Sequence, residues 1–215
     1  DEEMIGSVQD EEQLTMLGPM GYYESAKSHR RGTRRGFKRL VSEIYSPPRV
    51  TAAAKLLPEL GCVPGFALDI TTEDENGMAW DFNRVEQRRK AREMVLRDKP
   101  LLLIGSPMCT RFSAWQRIND KKREPAVVAK EHLRAMVHIK FVMELYQLQA
   151  EAGRYFLHEH PAQASSWEED VVRKTALIEN VQIVVGDQCQ YGAEGLDHQP
   201  IKKPTKFMTN SEHIA

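Results

Sequence analysis

From Leu40 onward, short apolar runs alternate with longer amphipathic segments, a pattern that predicts strands interleaved with helices around a parallel sheet. Residues 41–46 (VSEIYS) read as a first strand, ended by Pro47-Pro48. Residues 49–60 are Ala- and Leu-rich and read as a helix stopped by Gly61. Residues 65–71 form a second expected strand, and residues 84–97 a charged surface helix. Residues 101–105 (LLLIG) are apolar at every position, as a central strand covered on both faces requires. Residues 125–152 carry Leu133, Met136, Val137, Phe141, Leu145 and Leu148 at three- and four-residue steps, the mark of a long core helix. Strands at 154–159 and 181–185 flank a helix at 167–178, and the alternation in 205–209 predicts an edge strand. The expected fold is α/β, a Rossmann-like, doubly wound, mostly parallel sheet with helices on both faces. Ligands then sit beyond the carboxyl ends of the strands.

The first 39 residues lack that periodicity and read as a charged, flexible arm, leaving 40–215 as the folded domain. Charge sharpens the division. The chain has 30 Lys and Arg against 31 Asp and Glu, a formal net charge of −1. Within the arm, however, Asp1, Glu2, Glu3, Asp10, Glu11 and Glu12 are followed by Arg30, Arg31, Arg34, Arg35, Lys38 and Arg39. The basic stretch reads equally as a solvated linker or as a contact to a polyanion. An acidic start without Met and a polar finish lead us to expect a piece of a larger polypeptide.

Several classes are disfavoured. No run approaches the roughly 18–20 apolar residues of a membrane span, and residues 1–30 lack the apolar core of a signal peptide. Three well-separated cysteines, Cys62, Cys109 and Cys189, form no CxxC pair, so neither a disulfide framework nor structural zinc is expected. An intracellular, reducing compartment is the corresponding expectation.

Candidate chemistry lies at the strand ends. Cys109 follows a proline turn after the central strand, where a thiol can be exposed and its pKa lowered; a small buried apolar role is the plainer alternative. Glu159 ends a later strand as a possible proton donor or as the ion-pair partner of a cation such as Arg111. His158 and His160 are expected on opposite faces of that strand, which argues against a metal held by both. A cysteine hydrolase pairing Cys109 with a histidine ranks last, for want of an orienting third residue or oxyanion loop.

The segment LLLIGSPMCTRFS resembles the catalytic motif of cytosine-5 DNA methyltransferases, and FLHEHP resembles the strand that ends in that family's glutamate. Residues 41–214 can be laid along the family's catalytic core. CQYG followed by KKPTKFMTN is similar to the short, divergent relatives found in phages and retroelement polyproteins. The resemblance implies Cys109 as nucleophile and Glu159 at N3 of a flipped cytosine. It implies S-adenosylmethionine as cofactor, near Ser46, Asp69, Asp81, Ser106 and Pro107, with Asp69 on the ribose and Asp81 at the adenine. DNA is the implied partner, held with little sequence discrimination by Arg30, Arg31, Arg34, Arg35, Arg111, Ser113, Lys202 and Lys203. Against the family pattern, Tyr45-Ser46-Pro47-Pro48-Arg49 replaces the glycine-rich cofactor loop, Met108 replaces a proline, His160 replaces an asparagine, and neither a QxRxR motif nor a target-recognition domain is present. The alternative expectation is a catalytically inactive, nucleic-acid-binding or assembly module of a mobile element or polyprotein.

Overall fold

The computed structural model describes residues 39–215, so Arg30, Arg31, Arg34 and Arg35 lie outside the described residues. Six strands form one sheet: β1 (Leu40–Ile44), β2 (Val63–Leu68), β3 (Leu102–Gly105), β4 (Tyr155–Pro161), β5 (Gln182–Asp187) and β6 (Pro204–Thr209). Their spatial order is β2-β1-β3-β4-β6-β5. β1 pairs in parallel with β2 and β3, β3 in parallel with β4, and only β6 runs against its neighbours. The fold is therefore α/β with a mixed, mostly parallel sheet.

Helices α1 (Val50–Leu56), α2 (Val85–Asp98), α3 (Ala114–Asp120), α4 (Pro125–Glu151) and α5 (Asp170–Ala176) connect the strands. Ile44, Leu103, Phe156 and Met208 point to one face of the sheet and are buried against Ala91 and Val95 of α2, the inner side of α4, and Val172 of α5. On the opposite face α1 packs on β1 and β2. Both faces thus carry helix, but unequally. No helix among the described residues is long and apolar enough to cross a membrane.

The central strand behaves as its apolar run predicts: Leu103 is fully buried and Ile104 nearly so, on opposite faces. Gly105 lets α4 close in. A Cβ there would lie 2.2 Å from the Tyr146 hydroxyl, which donates to the Gly105 carbonyl at 3.1 Å. On α4 the buried stripe runs Ala135, Ile139, Val142, Tyr146 and Gln149, whereas Leu133 and Val137 are exposed. Of the expected stripe, Phe141 and Leu145 are buried and Met136 and Leu148 partly so, but the buried face also takes in polar and small residues, which apolar spacing alone does not mark.

Other expectations are corrected. Pro58 cannot continue an α-helix, so the segment expected as one helix is α1 plus a separate 3-10 turn at Pro58–Leu60, closed by Gly61 at φ 63°. The helix expected from residue 167 starts at Asp170, with Trp167 in a 3-10 turn, Ser165–Glu168, where its indole N–H donates to the Pro161 carbonyl. β6 is not an edge strand: it lies between β4 and β5, with Thr205 and Thr209 fully buried. Their hydroxyls donate to the Lys203 and Phe156 carbonyls, which lets polar residues occupy an interior strand. Finally, His158 and His160 share one face, because a two-residue step is one full period of a strand. Their rings stack at 5.5 Å and are both buried.

Candidate cofactor and catalytic site

The strand order turns around at β1. The chain moves from β1 to β2 on one side and returns past β1 to β3 on the other, so the connecting loops diverge and leave a crevice at the carboxyl ends. A cavity of about 210 Å³ occupies that crevice, with Tyr45, Asp69, Trp80, Asp81, Ser106 and His138 in its wall. Three residues expected at a cofactor are brought together here: Asp69 and Asp81 from the connection after β2, and Ser106 from the end of β3.

A directional hydrogen-bond chain organises the wall. The Tyr45 hydroxyl lies 3.0 Å from His138 Nδ1, and His138 Nε2 lies 3.2 Å from Asn83 Oδ1. The Asn83 amide then donates to Asp81 Oδ1 at 2.8 Å, and its backbone N–H reaches the same oxygen at 2.9 Å. One assignment satisfies every member: Tyr45 O–H to Nδ1, Nε2–H to Asn83, Asn83 to the carboxylate. Burial lowers the His138 pKa, helped by the charge of Arg88, and burial raises that of Tyr45, so both stay neutral near pH 7. Tyr45 holds a left-handed backbone, φ 57°, which is costly for a side chain of this size. It is fixed by its N–H to the Leu68 carbonyl at 2.8 Å and by its ring on Phe82 at 4.7 Å. Asp69 Oδ1 accepts from the Thr71 N–H and hydroxyl; its other carboxylate oxygen bonds no described residue.

Beside the crevice, α1 would offer its N-terminal amides to an anion. Glu43, inside β1, already supplies one. Its carboxylate accepts from the backbone N–H groups of Arg49 and Thr51 and from the Thr51 hydroxyl, at 2.6–3.3 Å. Burial opposes the charged form of Glu43, yet these bonds, led by Thr51, hold its pKa below the ordinary value. Ser46, expected at the cofactor, is instead turned inward onto Glu43 at 3.1 Å.

A second cavity, about 440 Å³, shares Asn83, Met108 and His138 with the first and adds Thr110, Arg111 and Arg134. Half-buried Cys109 stands between Met108 and Thr110, its carbonyl accepting from the Phe112 N–H at the start of a 3-10 turn. Pro107 is buried beneath this loop. His160, on the side of the sheet that faces α4, has its pKa lowered to about 4 by burial, although the Pro107 and Met108 carbonyls beside it favour the charged form.

Glu159 points the other way. It lines a third cavity, about 800 Å³, on the α1 side of the sheet, with Arg49, Leu157, Gln188, Tyr191 and Phe207. None of its lining residues belongs to the first two cavities. Its Oε1 is buried without a hydrogen-bond partner among the described residues. The loop of Cys109 and the carboxylate of Glu159 therefore border different cavities.

The described cations expected at nucleic acid divide. Arg111 is engaged with Asp120 at 2.6 Å, and Ser113 caps α3 by accepting from the Gln116 N–H. Lys202 and Lys203 are exposed, Lys202 lying 3.9 Å from Asp187. Tyr45, Asn83, His138 and Glu43 were not anticipated. For His138 a signal existed: a polar residue one step before Ile139 on the stripe that α4 buries. No group of three or more His, Cys, Asp or Glu among the described residues is arranged to hold a metal. No protein-family model matches this chain, and no curated protein matches it either.

Proposed function

We propose that the domain binds S-adenosylmethionine at the carboxyl ends of β1, β2 and β3 and methylates C5 of cytosine in DNA, with Cys109 as nucleophile. The observation that carries this reading is the meeting of Asp69, Asp81 and Ser106 in one cavity next to the loop of Cys109. The wall suits a nucleoside: carboxylates accept from ribose hydroxyls and an exocyclic amine, while Tyr45, Trp80 and Phe82 offer flat apolar contact. Glu43 at the α1 terminus disfavours a phosphate there and is compatible with a cofactor that has none. A cavity of about 210 Å³ fits the adenosine part, and the adjoining one extends towards Cys109.

S-adenosylmethionine supplies an electrophilic methyl group. The chain's own part is to add the Cys109 thiolate to C6 of the base, so that C5 becomes nucleophilic. For Glu159 to hydrogen-bond N3 of the same base, the flipped cytosine has to bridge the separate cavities that the Cys109 loop and Glu159 border. After methylation the C5 proton leaves to a base and the thiolate is expelled, which restores the ring and the free cysteine. Tritium transfer from labelled S-adenosylmethionine to cytosine-containing DNA tests the scheme. Wild-type transfer that Cys109→Ala abolishes is expected; no transfer above the Cys109→Ala level overturns it.

A second reading, a catalytically silent module, is favoured by the separation of Glu159 from the Cys109 loop. Calorimetry separates the two. Saturable S-adenosylmethionine binding that Asp69→Ala weakens supports the first, and no heat of binding supports the second.

A further inference from the structure

Helix α3 follows the Cys109 loop and buries none of its seven residues. Trp115 is 77% exposed and Ile118 56%, one helical step apart, and Met108 on the neighbouring loop is 50% exposed. A helix this short has little stability of its own, so something must hold it in place. That role falls to charge. Arg111 at its start bonds Asp120 at its end, and Arg123 bridges from Asp120 at 3.8 Å to Glu131 on α4 at 2.8 Å.

This network uses Arg111 and Arg123 but leaves Arg117, Lys121, Lys122 and Arg134 exposed, without an ion pair to any described residue. Residues 111–134 hold seven Lys and Arg (111, 117, 121, 122, 123, 130, 134) against three carboxylates (120, 124, 131), a local +4 in a chain of net −1. Gln116 of α3 and Arg134 of α4 also line the 440 Å³ cavity, so the patch reaches the mouth of the candidate site. An exposed indole flanked by free cations matches the chemistry of an unpaired base stacked on an aromatic ring while its phosphates meet lysine and arginine.

We propose that α3 and its flanks form a single-stranded nucleic-acid platform, with Trp115 stacking a base and Arg117, Lys121, Lys122 and Arg134 holding the backbone. Only the identity of the polymer rests on the function proposed above, and the test omits S-adenosylmethionine so that the two can fail separately. Fluorescence anisotropy of a labelled single-stranded oligonucleotide, titrated with the full chain over a salt series, is the measurement. Trp115→Ala should weaken binding roughly 5- to 150-fold, the range for loss of one stacked base, with an unchanged melting temperature. Lys121→Ala and Lys122→Ala should each make the negative slope of log K against log salt shallower by about 0.7, and the double lysine variant by about twice that. The proposal is overturned if the wild type does not bind, if Trp115→Ala binds as the wild type does, or if the double lysine variant keeps the slope. Equal affinity of wild type and Trp115→Ala for a duplex, beside a loss on the single strand, supports it further.

Discussion

The two faces of the sheet bury opposite kinds of polar group. Towards α4 and α5 lie His158, His160 and Tyr146, all fully or almost fully buried and neutral, since burial lowers the imidazole pKa values and raises that of the phenol. Towards α1 lie the carboxylates of Glu43 and Glu159. The first face is packed by helices and buries these imidazoles and this phenol uncharged; the second is more thinly covered, and there hydrogen bonds hold the charge of Glu43. Within the second face the two carboxylates differ again. Glu43 is saturated by donors, whereas Glu159 has a buried oxygen with no described partner. Saturation marks a structural group, and a deficit marks a place where a donor from outside would be welcome.

Breaking Glu43 should have the largest effect. Glu43→Gln keeps the shape but removes the charge that accepts from Arg49 and Thr51, and should cost about 2–4 kcal/mol in urea denaturation. Stability equal to wild type would mean that α1 is not held by this carboxylate. Acid titration sharpens the contrast between faces. His160 has a folded pKa near 4 and an unfolded one near 6.5, so its contribution is lost as pH falls between those values, at up to about 1.4 kcal/mol per pH unit. His158 adds to the same loss. Glu43, lowered from 4.5, contributes above that value and is lost only at more acid pH. Two acid phases are expected, with His160→Gln flattening the first and Glu43→Gln removing the second; one shared phase unaffected by His160→Gln would refute the assignment. Smallest in size and opposite in sign, Glu159→Met should raise stability by about 0.5–1 kcal/mol by replacing an unsatisfied oxygen in an apolar cavity. The same change should abolish methyl transfer, and retained transfer would free Glu159 of its proposed role.

Much of this was legible along the chain, for identifiable reasons. Residues 101–105 announce a doubly covered strand because no polar atom interrupts them, and the rule that ligands gather at strand ends singles out Asp69 and Ser106, whereas Asp81 was expected only from the family resemblance. The Tyr45–His138–Asn83 chain was not legible, because its members stand 93 and 55 positions apart and meet only once α4 is packed. Glu43 gave no warning, since a carboxylate inside a strand ordinarily signals a solvent face. The strand between β4 and β5 was misread because hydroxyl groups satisfied by carbonyls look, in sequence, like groups turned to water.

By carrying its own anion on Glu43, the domain has made the first helix end independent of any ligand. Folding therefore need not wait for a bound nucleotide, and a cofactor can raise the melting temperature only through mass action, in proportion to the logarithm of its concentration over Kd. A thermal-shift screen against this protein would report small, concentration-dependent increments for genuine ligands, rather than the rescue of an unfolded chain.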